Sequence, residues 1–256
     1  MSRALPSIKA VARRIPGARR LYRVLRPPSF DEVTVLRPLL STTGVLVDIG
    51  AHHGSTLQPF AEKGWRVIAV EPDPANRSVL EQRHGHRSNV TIDRRAIGEV
   101  DGESLALYTS DVSTGISALA PFHPTHRPTA TVETVRLDTL LADVHEVTLL
   151  KTDTEGWDLP ALRTFPWDRL HPTAVVCEFE DRKTSPLGYS FHDLARFLVD
   201  RGYSVLVSEW YPVVEYGRRH RWRSLQPYPV ELADRAAWGN LIATDGARAA
   251  QLTRAR

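Results

Sequence analysis

The sequence predicts an α/β domain built on an open parallel sheet with right-handed crossovers. Three observations lead there. Short apolar runs alternate with helical patterns between residues 45 and 97, which is the order of a β-α-β-α-β unit. Four of the apolar runs end in a carboxylate: Asp48, Glu71, Asp153 and Glu178. The first run leads directly into a turn with glycines at Gly50 and Gly54.

The elements follow in order. Residues 1–28 form a basic leader in which Ile8, Val11, Ala12 and Ile15 recur at helical spacing, interrupted by Pro16-Gly17 and closed by Pro27-Pro28. We expect this leader to pack on the domain as short helices; the alternative is weak contact with an anionic membrane surface. Residues 45–49 read as strand one, with a helix from Ser55 toward Lys63 stopped by Gly64. Residues 66–70 read as strand two, a helix follows from Pro72 to about His84, and residues 89–92 form strand three. Residues 104–108 and 131–135 alternate in the strand manner and read as an added antiparallel ribbon. The loop between them, Pro121 to Pro128, is expected to be exposed and mobile. Residues 147–152, 174–179, 203–207 and 240–244 complete the strands, with a helix over 191–201 and a frayed tail from Gly246. The expected organisation is a basic extension (1–30), one domain (31–246) and a tail (247–256).

At 256 residues the chain suffices for one well-cored domain plus additions. No apolar run reaches membrane-spanning length, and the basic terminus lacks the apolar stretch of a secretory signal. The single cysteine, Cys177, lies in an apolar run and reads as a small buried hydrophobe. One cysteine permits no internal disulfide, which fits a cytoplasmic location. The net charge of +3 is uneven: eight Lys or Arg precede the first acid, Asp31, so residues 31–256 carry −5. An acidic body argues against a nucleic-acid partner.

The strand tips point to the chemistry. Carboxyl ends of parallel strands share one crevice. An acid at the tip of strand two, Glu71, is placed to accept hydrogen bonds from both hydroxyls of a ribose, and with Asp48 it outlines a nucleoside pocket. The turn spacing, Gly50-x-x-x-Gly54, lacks the middle glycine of a dinucleotide fingerprint, and His52 and His53 would crowd a pyrophosphate. A methyl donor without phosphates, S-adenosylmethionine, fits this turn better. A nicotinamide-dependent oxidoreductase and a non-catalytic nucleoside-binding domain are the alternatives.

Further along, Lys151 and Asp153 lie two apart on a strand and share a face, so they are able to pair and hold the carboxylate ionised. Asp153 is either a general base or a structural partner of Lys151. His52, His53, His123 and His126 are further candidate bases, and each reads more simply as a solvated loop residue. The carboxylates show no dedicated metal-ligand spacing. Residues 209–228 carry Trp210, Tyr211, Tyr216, Trp222 and Tyr228 with Arg218, Arg219, Arg221 and Arg223. They read either as an acceptor surface, with aromatic faces for sugar rings and arginines for phosphates, or as a solvated connector.

The blocks Val47-Asp48-Ile49-Gly50-Ala51-His52-His53-Gly54, Val70-Glu71-Pro72, Arg94-Arg95-Ala96-Ile97-Gly98, Val135-Arg136-Leu137-Asp138-Thr139-Leu140 and Leu150-Lys151-Thr152-Asp153-Thr154-Glu155-Gly156 resemble, in order and interval, the FkbM family of methyltransferases. The likeness covers roughly residues 44 to 245. Two positions depart from it: His52 stands where the family commonly has Asn, and Asp158-Leu159 where a small residue and Glu are usual. The resemblance implies a class I methyltransferase sheet of seven strands, the last antiparallel, with helices on both faces. It implies S-adenosylmethionine as donor, held by Asp48, Gly50, Ala51, His52, Gly54, Glu71, Pro72, Ala96, Ile97 and Asp153. It implies a hydroxyl acceptor on a sugar, glycolipid or other natural product, with Asp153, Lys151 and Glu155 at the transferring methyl.

Overall fold

A computed structural model describes residues 30–216 and 219–254. The chain divides into two compact units, Met1–Phe30 and Asp31–Arg256. The helical segments expected within residues 1–28 lie outside the described residues.

In the second unit, strands β1 (Val45–Ile49), β2 (Arg66–Val70), β3 (Val90–Asp93), β7 (Leu149–Thr152), β8 (Ala174–Glu180), β9 (Ser204–Trp210), β10 (Trp222–Pro227) and β11 (Trp238–Thr244) form one sheet in the order β10-β9-β11-β8-β7-β1-β2-β3. The pairs β3–β2, β2–β1, β1–β7 and β7–β8 are parallel, and β11 runs antiparallel between β8 and β9. This is the class I methyltransferase arrangement. Among the described residues it has eight strands, not seven: β10 pairs antiparallel with β9 at the edge. Its composition hides it, because the stretch Trp222–Pro227 is half-exposed or exposed throughout and does not alternate apolar with polar residues.

Successive side chains on a strand go to opposite faces, and both faces of this sheet are covered. Val45, Val47, Ile49, Val175, Cys177, Phe179, Val205 and Val207 meet one layer built from α4 (Leu137–Leu140), α5 (Asp158–Arg163) and α7 (Phe191–Val199). Leu46, Val67, Ala69, Leu149, Val176, Leu206 and Ile242 meet the other, which contains α1 (Glu32–Leu36), α2 (Gln58–Ala61), α3 (Pro74–His84) and α8 (Gly246–Arg254). Cys177 lies in the first layer, fully buried and unpaired. Asp73 starts α3 by accepting hydrogen bonds from the Ala75 and Asn76 amides, ahead of Pro74 in the first turn. Ser190 and Asp193 form a reciprocal capping box on α7.

Three local expectations change. The helix expected from Ser55 to Lys63 contracts to α2, with turns before it. The tail expected to fray is helix α8, and Ala249 and Leu252 are buried against the sheet. A second, three-stranded sheet holds β4 (Ala96–Ile97), β5 (Ser104–Thr109) and β6 (Arg127–Val135), with β5 antiparallel and β4 parallel to β6. Within the loop before β6, His126 is buried, its ring edge-on to Phe122 at 4.6 Å. The loop is anchored at His126, while Pro121, Pro124, Arg127 and Pro128 are exposed as expected. No helix among the described residues is long and apolar enough to cross a membrane.

Candidate active site

The site grows from the carboxyl ends of β1, β2, β7 and β8. β1 leaves the sheet at Gly50, whose φ of +75° belongs to the left-handed region. A Cβ there would stand 1.9 Å from the Asp153 carbonyl oxygen, so only glycine lets the turn lie against the end of β7. His52 follows with φ of 49° and stacks on His53 at 3.7 Å. The His52 amide donates to Glu71 Oε2 at 2.7 Å, and the Asp73 amide to Glu71 Oε1 at 2.9 Å. Glu71 therefore ties the turn after β1 to the start of α3. Burial pushes its carboxyl up to about 7 despite the two amide donors.

These tips enclose a cavity of about 220 Å³. Gly50, Ala51, His52, Glu71, Pro72, Ala96, Ile97, Lys151, Asp153 and Glu155 line it. Two expected cofactor residues do not. Asp48 is 0 % exposed beneath the cavity, opposite Lys151 in the β1–β7 register and 3.3 Å from its Nζ. Gly54 faces the other way, where a Cβ would meet the His84 ring and Leu80. A buried carboxylate survives only with a partner, and the Lys151 ammonium supplies one for Asp48.

Lys151 Nζ also lies 3.4 Å from Asp153 Oδ2 and donates to the Gly50 carbonyl. The two carboxylates raise its already high pKa, which keeps it an ammonium and removes it as a base. Asp153 has a side chain 41 % exposed, open to the cavity. The next turn is held by Asp158, fully buried, which accepts from Thr152 Oγ1 at 2.6 Å and Thr154 Oγ1 at 2.8 Å. The Asp158 departure thus serves the backbone of the site. Glu155 sits at φ of 57°, an uncommon conformation for a side-chain-bearing residue. Its Oε2 lies 2.6 Å from Lys183 Nζ, and burial drives its carboxyl up to about 7.

A second cavity of about 210 Å³ adjoins the first, and Asp153, Glu155 and Gly115 line both. Glu178, Glu180, Lys183, Tyr216, His220 and Trp238 also line it, with Trp238 next to Glu180 in the β8–β11 register. Lys183 follows β8 on α6 (Asp181–Thr184) and is 2 % exposed, with Glu178 and Glu180 at 3.0 and 3.1 Å. Asp153, Glu155 and Glu178 offer carboxylate oxygens within 4.8 Å of one another, and Lys183 neutralises part of that set.

Sequence reasoning missed Lys183, His220 and the short helical turn Thr114–Ile116. That turn roofs both cavities: Thr114 Oγ1 meets His52 Nε2 at 3.0 Å, its carbonyl accepts from Asn76 Nδ2, and Ser117 Oγ donates to Asp73. No motif marks it; the contacts span 38 to 62 residues. Two of the arginines expected to receive phosphates are engaged elsewhere. Arg221 and Arg223 stack over Tyr211 at 3.8 and 4.1 Å, and Arg223 pairs with Glu209. Arg218 lies outside the described residues. His53, His123 and His126 line neither cavity.

Residues 48–205, more than half of the chain, match the model of the methyltransferase FkbM domain. The chain belongs to the FkbM methyltransferase family. No curated protein sequence matches it. Solved structures similar to this FkbM chain include a precorrin-6y C5,15-methyltransferase of Geobacter metallireducens GS-15, 16% identical over 83% of this chain and 85% of that one, TM-score 0.44. An rRNA methylase of Streptococcus thermophilus is 11% identical over 86% and 98%, TM-score 0.45. Aeropyrum pernix fibrillarin, solved with S-adenosyl-L-methionine, is 14% identical over 81% and 68%, TM-score 0.40.

The cofactor of this family is S-adenosylmethionine, and the first cavity suits it. Three polar atoms among its lining residues, Asn76 Oδ1, Trp157 Nε1 and Glu155 Oε2, are buried without a hydrogen-bond partner, the last with the Lys183 ammonium beside it. Such atoms are rare unless a ligand satisfies them. The oxidoreductase alternative finds no support.

Proposed function

We propose that this chain transfers a methyl group from S-adenosylmethionine to a hydroxyl of a sugar, glycolipid or other natural product. The observation that carries the reading is the shared wall: Asp153 and Glu155 stand between a cavity suited to the donor and a second, aromatic-sided cavity. In-line displacement needs donor and acceptor in separate pockets that meet at the reacting atoms.

When bound, S-adenosylmethionine supplies a methyl group already activated on a sulfonium. The residues of the first cavity hold it, with Glu71 the hook for the ribose hydroxyls. The chain's remaining task is to align the acceptor and take its proton as the bond forms. Asp153 is placed for that step, open to both cavities and oriented by Lys151. Glu155 is the second candidate base, because a carboxyl near 7 is matched to neutral operation. Asp48 and Lys151 act through Asp153.

Calorimetry tests the reading directly. S-adenosylhomocysteine should bind and NAD should not. Incubation with methyl-labelled donor and candidate hydroxyl acceptors should then release S-adenosylhomocysteine. Tight NAD binding with no response to S-adenosylhomocysteine would sink the proposal. Binding without release across nitrogen, carbon and oxygen acceptors would favour a non-catalytic nucleoside-binding domain.

A further inference from the structure

The second cavity has a charge that the sequence did not forecast. Asp153, Glu155, Glu178 and Glu180 line it, against one ammonium, Lys183; burial raises the carboxyls of Glu155 and Glu178 and so reduces their share of the charge. Lys183 is already shared among Glu155, Glu178 and Glu180. Arg182 pairs with Glu180 Oε1 from outside the lining. Glu180 is 3 % exposed, and its Oε2 makes no hydrogen bond, with only the divided Lys183 ammonium nearby. His220 adds no charge, because burial lowers its pKa.

Aromatic rings stand beside these acids. Trp238 is the register partner of Glu180 across β8 and β11, Tyr216 lines the cavity with its hydroxyl accepting from Arg182, and the His220 ring stands edge-on to Trp238 at 5.0 Å. Carboxylates beside aromatic rings make an environment for an organic cation: the ring faces attract it and the acids neutralise it. An anionic group would be buried against like charges with no arginine in the lining to receive it. A small metal ion would use the acids and leave the aromatic rings idle.

We propose that the acceptor carries a protonated amine close to the hydroxyl that is methylated, and that the second cavity selects for it through Glu180, Tyr216 and Trp238. The class is an amino alcohol or amino sugar, rather than a phosphorylated or carboxylated acceptor. This rests on the methyl-transfer reading above, so donor-site binding is measured in the same experiment.

The full chain, saturated with S-adenosylhomocysteine, is titrated with three matched rings: glucosamine, glucose and glucuronate. Glucosamine should bind at least tenfold more tightly than glucose, and glucuronate more weakly than either. Glu180→Gln should reduce the glucosamine preference about tenfold, the effect of losing one charged contact. Tyr216→Leu should weaken glucosamine several-fold, which covers the case in which the Glu180 variant does not fold. S-adenosylhomocysteine binding reports folding in both variants. Equal affinity for the three rings, preference for glucuronate, or no binding of any ring overturns the inference. So does Mg²⁺ displacing glucosamine at micromolar concentration, since the acids would then serve a metal. Failure of S-adenosylhomocysteine to bind the unaltered chain would instead overturn the methyl-transfer reading.

Discussion

Glu71 shows how one carboxylate serves both structure and site. It lines the first cavity, is 4 % exposed and accepts two backbone hydrogen bonds. Glu71→Ala should therefore weaken S-adenosylhomocysteine binding by about 2–3 kcal/mol. It should also lower stability, because two amides lose their acceptor; a strand tip merely open to the crevice would not behave so. The raised pKa adds a pH dependence. The folded state holds this proton up to about 7, whereas the unfolded chain releases it near 4.5. Between those values the folded state binds more protons, so stability falls as pH rises. The full contribution is at most about 3 kcal/mol. Melting curves of the wild type and Glu71→Gln from pH 4 to 8 should converge or cross as pH rises; parallel curves would refute the assignment. At Asp153, Asn substitution should preserve cofactor affinity and lower turnover by about 10²–10⁴-fold. Loss of affinity together with rate would make Asp153 a cofactor ligand. An early-melting variant with near-normal turnover would reduce it to a partner of Lys151 and move the base to Glu155.

The turn after β1 and the helix α8 carry the predictions at the scale of elements. Gly50 accepts no side chain, for two separate reasons: its positive φ and the Asp153 carbonyl 1.9 Å from where a Cβ would be. Gly50→Ala should cost on the order of 1–3 kcal/mol from backbone strain alone. It should also displace Asp153, so cofactor affinity and melting temperature should drop together. Retained affinity with a lowered melting temperature would show that the turn tolerates the shift. α8 tests the opposite end of the sheet. Leu252 is buried beside Leu206 and Ile242 in the second layer. Leu252→Ala should cost about 2–5 kcal/mol by cavity formation. A fraying tail would give a change within about 0.5 kcal/mol in denaturant titration. The turn at Thr114–Ile116 joins the two cavities because it hydrogen-bonds to His52, Asn76 and Asp73 from a distant part of the chain.

Across the whole molecule, charge is segregated. Residues 1–30 hold eight basic side chains and no acid, and the remaining body is net acidic. If the extension is a membrane-surface anchor, the full chain should sediment with anionic vesicles and be released at high salt. Packing on the domain predicts a different outcome: deletion of residues 1–28 lowers the melting temperature and vesicle binding is absent with or without it. The second outcome is the one we expect.

Seven of the eight strands of the main sheet, and the strand ends that surround the first cavity, are legible in the chain. Runs such as Val45–Ile49 and Ala174–Glu180 are buried on both faces, so apolarity reads directly as a central strand. Gly50, Glu71 and Asp153 sit at strand ends, where local spacing already implies a shared crevice. The tertiary structure alone decided which of the strand-end acids face a ligand. Asp48 and Asp153 look alike in the chain, yet Asp48 is sealed beneath Lys151 while Asp153 opens to both cavities. The acceptor side was equally hidden. Lys183, Glu180, Tyr216 and Trp238 meet across loops with no common period, and Arg221 and Arg223 are spent on Tyr211 and Glu209. Periodicity records which face a residue takes within its own element. Charge balance and cavity shape arise from contacts between elements, which no local pattern encodes.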